Sequence, residues 1–530
     1  MILDVYDSPW ITCKMDTGEE KVFGIRECLE KAKKIKKIYV QHVKTDIDQI
    51  APYILMEMIL TRVYRPADEF DKLDILESGS FDLDRVDKYI DDCRKKGISF
   101  DIFDPRRPFL QCGEEMFHAK KDKKSAGFLD PVLPTGNALA FYHNDTEKNI
   151  YNLEEIQVMY PEQYLASLVR NHMIRSASGG YIASGFVVGR PPLFIVAHGN
   201  SLFETVLFSM HVEGDAALRE NDIPMWEQKY YHMPITSLIN EQKLGHLASS
   251  LYPVIAVRFG DIEDGMVKSV YCANLYDKTG DPRKWIDEEN KPQTYGELFY
   301  KNATHLLCSY VKVKNEIALM PKKLNLEESS WISVISSDID LAGTGIAATG
   351  FEALKFLSFL RDNDYDICEQ EERIPCSIYG LVIATKTEPT YMQTQDNVSF
   401  PASALVDTVV RRKLLQIIDT TKKTGMTLKF YLRKLEEEIY GMEIKAGQES
   451  DDIGQICNRF QQLVADRVML KDGWIELLSK QPGMDIMEFI NQIHKDAQNA
   501  FEEYPIMKNG FIKKNKYGNI LYAALSKEMC

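Results

Sequence analysis

The chain has 530 residues, 45% of them hydrophobic and 27% charged, and a formal charge of −15. That length calls for more than one domain, and the composition is that of a globular protein with sizeable cores. The acidity excludes a protein that coats nucleic acid by bulk attraction, because phosphate binding needs positive charge at the point of contact.

The opening segment predicts a hairpin. Trp10–Lys14 is β-prone, Asp16, Thr17 and Gly18 signal a turn, and Lys21–Ile25 resumes the strand. Helical spacing follows at Ile25–Ile35 and Ile47–Tyr64, and an amphipathic helix at Asp82–Lys96 precedes an extended run, Phe100–Gln111. Gly113–Tyr142 reads as irregular, with a lysine cluster at Lys120, Lys121, Lys123 and Lys124. A helix at Pro161–Ile174 is stopped by Gly179 and Gly180, and Ser201–His211 is helical again. Val254–Leu319 mixes β-prone runs with polar turns.

Composition shifts at Pro401. Beyond it basic and acidic residues nearly balance, 19 against 18, so the excess acidity lies in the first 400 residues. Apolar positions recur on helix faces at Val406, Val410, Leu414 and Ile417, and at Leu428, Leu432, Leu435 and Ile439. They continue at Ile456, Phe460, Leu463 and Val468, and at Ile486, Ile490, Ile493, Ala497 and Phe501. Gly425, Gly441, Pro482 and Gly483 punctuate these runs. The expected fold class is α+β: a large mixed α/β N-terminal domain over residues 1–400, then a C-terminal four-helix bundle over 401–530.

No stretch approaches the roughly 18 apolar residues of a membrane span. Asp4 and Asp7 stand where a secretory signal would be apolar, so a cytoplasmic protein is expected. Ten scattered cysteines form no CxxC pair, which points to reduced thiols without a zinc or disulfide framework. No cofactor or structural metal is expected.

Few motifs suggest chemistry. Gly343–Ala348 fits the dinucleotide pattern GxGxx[GA] and opens an alternative, a cytosolic nucleotide-dependent enzyme. A true fingerprint joins strand to helix by a tight turn, whereas Ser336–Ala342 intervenes between the β-prone Trp331–Ile335 and the glycines. The simpler reading is a glycine-rich loop before the helix Phe351–Arg361. Gly199–Phe203 lacks the second glycine of an esterase elbow. There is no Walker A motif and no HExxH, so no catalytic residue is assigned. The paired glycines Gly179 and Gly180, followed by Tyr181 and Ser184, either cap a helix or let backbone approach a ligand closely. The lysine cluster and the tail Lys508–Lys516 read either as solvated surface or as phosphate contacts.

Several segments, taken in order, resemble one family. They are DSPWITC (Asp7–Cys13), FDIFDPRRPFLQ (Phe100–Gln111), LPTGNALAFYHN (Leu133–Asn144) and the helix ending in SGGYIASG. RPPLFIVAHGNSLFETVLFSM (Arg190–Met210) follows, then DIPMWEQ (Asp222–Gln228) and IYGLVIATKT (Ile378–Thr387). Together they resemble the CasA family, the large subunit of the type I-E CRISPR Cascade surveillance complex.

The resemblance implies a non-catalytic subunit that reads a protospacer-adjacent motif in double-stranded DNA and starts strand separation and R-loop formation. The implied partners are the CRISPR guide RNA, the target duplex, and the backbone, small inner and 5′-handle-binding Cascade subunits. A helicase-nuclease that lands on the large subunit is a further implied partner. Pro131–Phe141 matches the family's guide-RNA and subunit anchoring loop, through Thr135, Gly136, Asn137 and Phe141. Ser178, Gly179, Gly180 and Tyr181 match the glycine loop that enters the minor groove. Thr385, Lys386 and Thr387 match the wedge hairpin, although the glutamine common there is missing and the nearest, Gln393 and Gln395, lie further on. Lys284 and Lys291 are candidates for a motif-contacting lysine. Arg411, Arg412, Lys422 and Lys423 on the bundle are candidates for the displaced strand.

Overall fold

The computed structural model describes residues 2–43, 45–114, 117, 122–129, 158–178, 194–228, 245–251, 255–274, 352–363, 365, 373–382, 392–444, 450–470, 472–505 and 510–527. It also describes short strands at Lys284–Ile286, Pro292–Thr294, Tyr310–Lys312, Leu319–Pro321 and Ala347–Thr349. The chain divides into two compact units, Met1–Ile367 with Ile374–Ser399, and Cys368–Arg373 with Phe400–Cys530.

The first unit opens with the hairpin β1 (Ile11–Met15) and β2 (Glu20–Phe23), then α1 (Ile25–Glu30) and β3 (Ile35–Tyr39), which adds to β1. Ile35 therefore begins a strand instead of ending a helix. Ile35 and Ile38 are both buried although three residues apart, because the register shift between Lys14 and Met15 skips Lys36 and keeps both isoleucines on the covered face. α2 (Ala51–Tyr64) is buried on every face from Ala51 to Thr61, as expected of a helix at the centre of a core. α1, α4 (Leu83–Lys95) and later helices pack on it, and α3 (Glu69–Ser78) lies between α2 and α4 in the chain. Asp68 caps α3 and Asp82 caps α4, each accepting backbone N–H groups of the first turn.

Phe100–Gln111 is not a strand. The Asp101 carboxylate accepts from the N–H groups of Leu3 and Phe103, and Asp104 accepts from those of Arg106 and Arg107. Short carboxylates that satisfy the local backbone replace a sheet ladder here. Gln111 completes the motif, accepting from the Tyr164 hydroxyl at 2.7 Å and the Phe259 N–H at 2.8 Å.

Lys123 and Lys124 belong to β4 (Lys123–Ser125), and Lys123 pairs with Asp261 at 2.5 Å. They are therefore strand residues, not loop cations. After α5 (Pro161–Ser178) and β5 (Phe194–Ala197) come α6 (Leu202–Ser209), α7 (Ala216–Asn221) and α8 (His246–Ser250). β6 (Ile255–Phe259) and β7 (Ser269–Asn274) join β4 in the order β4-β7-β6. α9 (Glu352–Asp362) packs on α6 and β5. Ala347–Thr349 is a strand antiparallel to Tyr310–Lys312, so a strand separates the glycines of the dinucleotide-like stretch from α9. A phosphate-binding turn would feed the helix directly. β8 (Arg373–Val382) and β9 (Met392–Pro401) complete the sheet β9-β8-β5.

The second unit holds α10 (Ala402–Val406), α11 (Thr408–Tyr440), α12 (Asp451–Met469), α13 (Trp474–Lys480), α14 (Met487–Glu503) and α15 (Phe511–Lys527). α11 packs against α12, α14 and α15, which gives four long helices. The two apolar runs on either side of Gly425 are one helix, and the fourth long helix is the lysine-rich tail. Lys514 is buried and donates to the carbonyls of Glu502 and Tyr504, and Lys516 pairs with Glu438 at 3.0 Å. These tail lysines tie the bundle together.

No helix among the described residues is long and apolar enough to cross a membrane. Among them no group of three or more His, Cys, Asp or Glu residues is placed to hold a metal ion. Among the described residues no cysteine is in a disulfide, and most of the cysteines are buried.

Candidate nucleic-acid interface

The structure describes the supports of the expected interface. Gly179, Gly180, Tyr181, Thr135, Gly136, Asn137, Phe141, Thr385, Lys386, Thr387 and Lys291 lie outside the described residues. Ser178 is the last residue of α5, four beyond the expected helix end, so α5 runs up to the glycine pair. Lys284 opens a short strand opposite Thr294.

α5 is fixed by one buried guanidinium. Arg170 lies 2.8 Å from the Asp48 carboxylate, both almost fully buried, and donates to the Leu129 carbonyl at 2.6 Å. Asp48 also accepts from the hydroxyls of Thr45 and Ser167. A buried charge is tolerated only when paired and hydrogen-bonded, and Arg170 meets both conditions. Leu129 stands two residues before Pro131, where the expected anchoring loop begins. One side chain thus links the approach to that loop with the helix that leads to the glycine pair.

The base of the expected wedge hairpin is the sheet β9-β8-β5. Tyr379 to Cys376 on β8 pair with Phe194 to Ala197 on β5. At its edge the His198 N–H donates to the Pro375 carbonyl, His198 Nε2 lies 2.8 Å from Ser377 Oγ, and Ser377 donates to Asn397 Oδ1 at 2.8 Å. Burial, with Lys37 nearby, pushes the His198 imidazole down to about 4, so it is neutral. The three side chains fasten β5, β8 and β9 just before the stretch that holds Thr385–Thr387. The Ser377 hydroxyl hydrogen is donated to Asn397 Oδ1 and not toward His198, unlike a serine activated by a histidine base.

The strongest sequence motif folds into a strand–helix junction. Ser201 caps α6, the Glu204 carboxylate reaches back to the Asn200 N–H at 2.6 Å, and Thr205 Oγ1 accepts from the Gly199 N–H. Ser201 and Glu204 cap the helix together, the serine side chain on the Glu204 N–H and the carboxylate on the N–H of the residue before the cap. A side chain at Gly199 would put its Cβ 2.2 Å from Glu204 Cβ, which explains the glycine.

Past α6, His211 sits against Glu352 at 3.1 Å and Glu213 at 3.7 Å, and stacks on His246. Burial works against its charge, but the two carboxylates outweigh burial and lift the imidazole to about 9. Glu352 is buried and held well below the usual carboxylate range despite that burial, by His211, Lys355 and Lys72. In the DIPMWEQ motif Asp222 caps α8 by accepting from the N–H groups of Leu247 and Ala248. Glu227 receives a two-pronged bond from Arg62, and Trp226 donates to the Tyr89 hydroxyl. These residues are structural ties that only the folded chain reveals.

In the bundle Arg412, Lys422 and Lys423 are exposed, and Lys423 pairs with Asp419 at 2.7 Å. Arg411 is 5% exposed, so it does not belong with the surface cations. It follows Val410 on the buried side of α11, where periodicity alone did not separate it from Arg412.

The family model for CRISPR-associated protein Cse1 matches residues 4–452. The chain belongs to the CRISPR-associated protein Cse1 family. Among solved structures, Thermobifida fusca Cse1 is similar over 99% of this chain and 98% of its own, with a TM-score of 0.70 at 14% identity. Thermus thermophilus CasA (Cse1) matches over 99% of each chain, with a TM-score of 0.66 at 17% identity. A chain described as part of a CRISPR RNA-guided surveillance complex matches over 99% of each, with a TM-score of 0.66 at 14% identity. No curated protein sequence matches. The Cse1 fold thus extends over both units, whereas the family model ends in α12.

Proposed function

We propose that this Cse1-family chain is the non-catalytic large subunit of a type I-E-like CRISPR RNA-guided surveillance complex. It recognises the protospacer-adjacent motif in double-stranded DNA, starts strand separation and offers a landing site for a helicase-nuclease. The observation that carries this reading is the family match over residues 4–452, with a fold shared over its whole length with a surveillance-complex chain.

The chemistry is a division of labour. Guide RNA pairing reads the target, and the protein reads a short motif in the duplex. Gly179 and Gly180 suit the narrow minor groove, where backbone fits and side chains do not. The stretch Thr385–Thr387 separates the first base pairs, at a cost of a few kcal/mol of unstacking that the new contacts offset, and Lys386 steadies the parted strands. Thr135, Gly136, Asn137 and Phe141 anchor the subunit to the guide and its neighbours. Lys284 and Lys291 approach the motif. Arg412, Lys422 and Lys423 track the displaced strand.

The test is a complex assembled with Gly179 and Gly180 each changed to Phe. Assembly is expected to survive. Affinity for targets bearing the motif should fall by about tenfold or more, each lost minor-groove contact being worth roughly 1–3 kcal/mol. Equal loss for targets with and without the motif overturns groove readout by these glycines.

A further inference from the structure

α5 carries a charge where packing does not need one. Every residue of the helix from Gln163 to Met173 is buried, and the Arg170 side chain is 3% exposed. A helix buried on all sides packs with apolar side chains alone. Exchanging a buried ion pair for apolar side chains of similar volume is commonly neutral or stabilising, so such a pair is a weak stabiliser. Its best-attested use is to fix register.

The Arg170 pair has the geometry for that use. Asp48 lies in the short turn Asp46–Ile50, which packs on α5, and its carboxylate is 2.8 Å from Arg170 Nε. The same carboxylate accepts from Ser167 of α5 at 3.3 Å and from Thr45 at 3.0 Å. The far end of the guanidinium donates to the Leu129 carbonyl at 2.6 Å, in the turn Ala126–Leu129. A rigid planar fork meets acceptors on two separate segments in one position of the helix, whereas an aliphatic side chain tolerates sliding and rotation. Ser178 lies eight residues beyond Arg170, about 12 Å along the helix, so a tilt of about 5° displaces the helix end by about 1 Å. The minor groove is only about 6 Å wide, and backbone entering it is sensitive to a displacement of that size.

We propose that Arg170 is a positioning residue for motif recognition: it fixes the height and rotation of α5, and with them the glycine pair at its end, against the segment that enters the expected anchoring loop. The proposal rests on the reading of Gly179 and Gly180 as the groove reader. Arg170 is too deeply buried to touch nucleic acid itself. It acts by making readout depend on how the chain around Leu129 is seated.

The test compares assembled complexes carrying wild type, Arg170→Met/Asp48→Leu and Arg170→Lys. The double variant removes both charges together and strands neither, so the thermal midpoint of the chain should stay within about 3 °C of wild type. Assembly, and affinity for duplex without the motif, should be unchanged. Affinity for duplex bearing the motif should fall about tenfold, and the discrimination ratio with it. Arg170→Lys keeps a cation beside Asp48 but has no fork to span both acceptors, and should lose about threefold. It carries the test if the double variant does not fold. Arg467→Met/Asp496→Leu, which removes a 2.6 Å pair in the second unit, should leave the ratio unchanged. A wild-type ratio in both Arg170 variants overturns the proposal. Equal loss on duplexes with and without the motif also overturns it, because a residue that only supports the fold would act that way. So does a matching loss of discrimination in the Arg467→Met/Asp496→Leu complex. If the Gly179 and Gly180 variants lose discrimination while the Arg170 variants keep it, only the Arg170 proposal fails. If the glycine variants keep discrimination, the groove reading fails and this proposal falls with it.

Discussion

His211 shows how far a single residue's chemistry depends on chain segments remote in sequence. Its partner Glu352 is 141 residues away, and its backbone N–H faces Glu57 and Thr61 of α2. His246 stacks on its ring, and Lys355 and Lys72 act on the same Glu352 carboxylate. The imidazole, lifted to about 9, binds a proton more tightly in the folded chain than in the unfolded one, where its value is about 6.5. Its stabilising effect is therefore full below about pH 6.5 and disappears as pH rises through 9. His211→Gln should cost about 3 kcal/mol at pH 6, because Glu352 loses a buried counter-charge, and markedly less at pH 9.5. Urea unfolding of wild type and variant at both pH values measures this. Lys72, pushed down by burial, titrates in the opposite sense, so the difference between the two proteins isolates His211. A difference that is the same at pH 6 and pH 9.5 sinks the argument. Nothing in the sequence pairs His211 with Glu352, or Arg170 with Asp48 and Leu129. Such contacts join residues over separations that periodicity does not reach.

At the scale of elements, the sequence is most legible where one face meets one core. The opening hairpin, α2, α4 and the helices beyond Pro401 follow from apolar spacing and caps, and the turn at Gly18, at φ 86°, is where a glycine is needed. The misreadings have a shared cause: local signals compete with tertiary context. Ile35 continued a helical spacing but pairs with Met15 in a sheet. Phe100–Gln111 is rich in β-prone residues, yet Asp101 and Asp104 capture its backbone. Gly425 looked like a helix stop, yet α11 runs through it for 33 residues. That last case is testable. A methyl group at Gly425 would meet the Phe460 ring at 3.5 Å, an ordinary contact, and its backbone is not left-handed. Gly425→Ala should therefore stabilise the bundle by about 0.5–1 kcal/mol, the usual helical penalty of glycine. The denaturation midpoint followed by helical circular dichroism checks it, and a lower midpoint would mean that the close approach of α12 needs the bare backbone.

For the whole molecule, the governing quantity is charge. An acidic chain repels a generic duplex, so any productive contact has to be local, and the proposed duplex contacts include only three cations, Lys284, Lys291 and Lys386. Three such charges set an upper limit on counterion release. Each neutralised phosphate contributes about −0.9 to the slope of log K against log salt, so the isolated chain should give a slope no steeper than about −3 on random duplex DNA. Weak, salt-sensitive binding of that kind is useful to a subunit that has to sample many sequences and retain few. A complex that brings guide RNA and further subunits gains its strength from pairing and from its partners, and it gains selectivity if the large subunit adds little of its own for the wrong sequence. Titration of labelled duplex across 25–200 mM salt tests the limit. A slope of −7 or steeper would require a basic surface well beyond these three lysines, and the acidic first 400 residues would then not act as a filter against non-specific DNA.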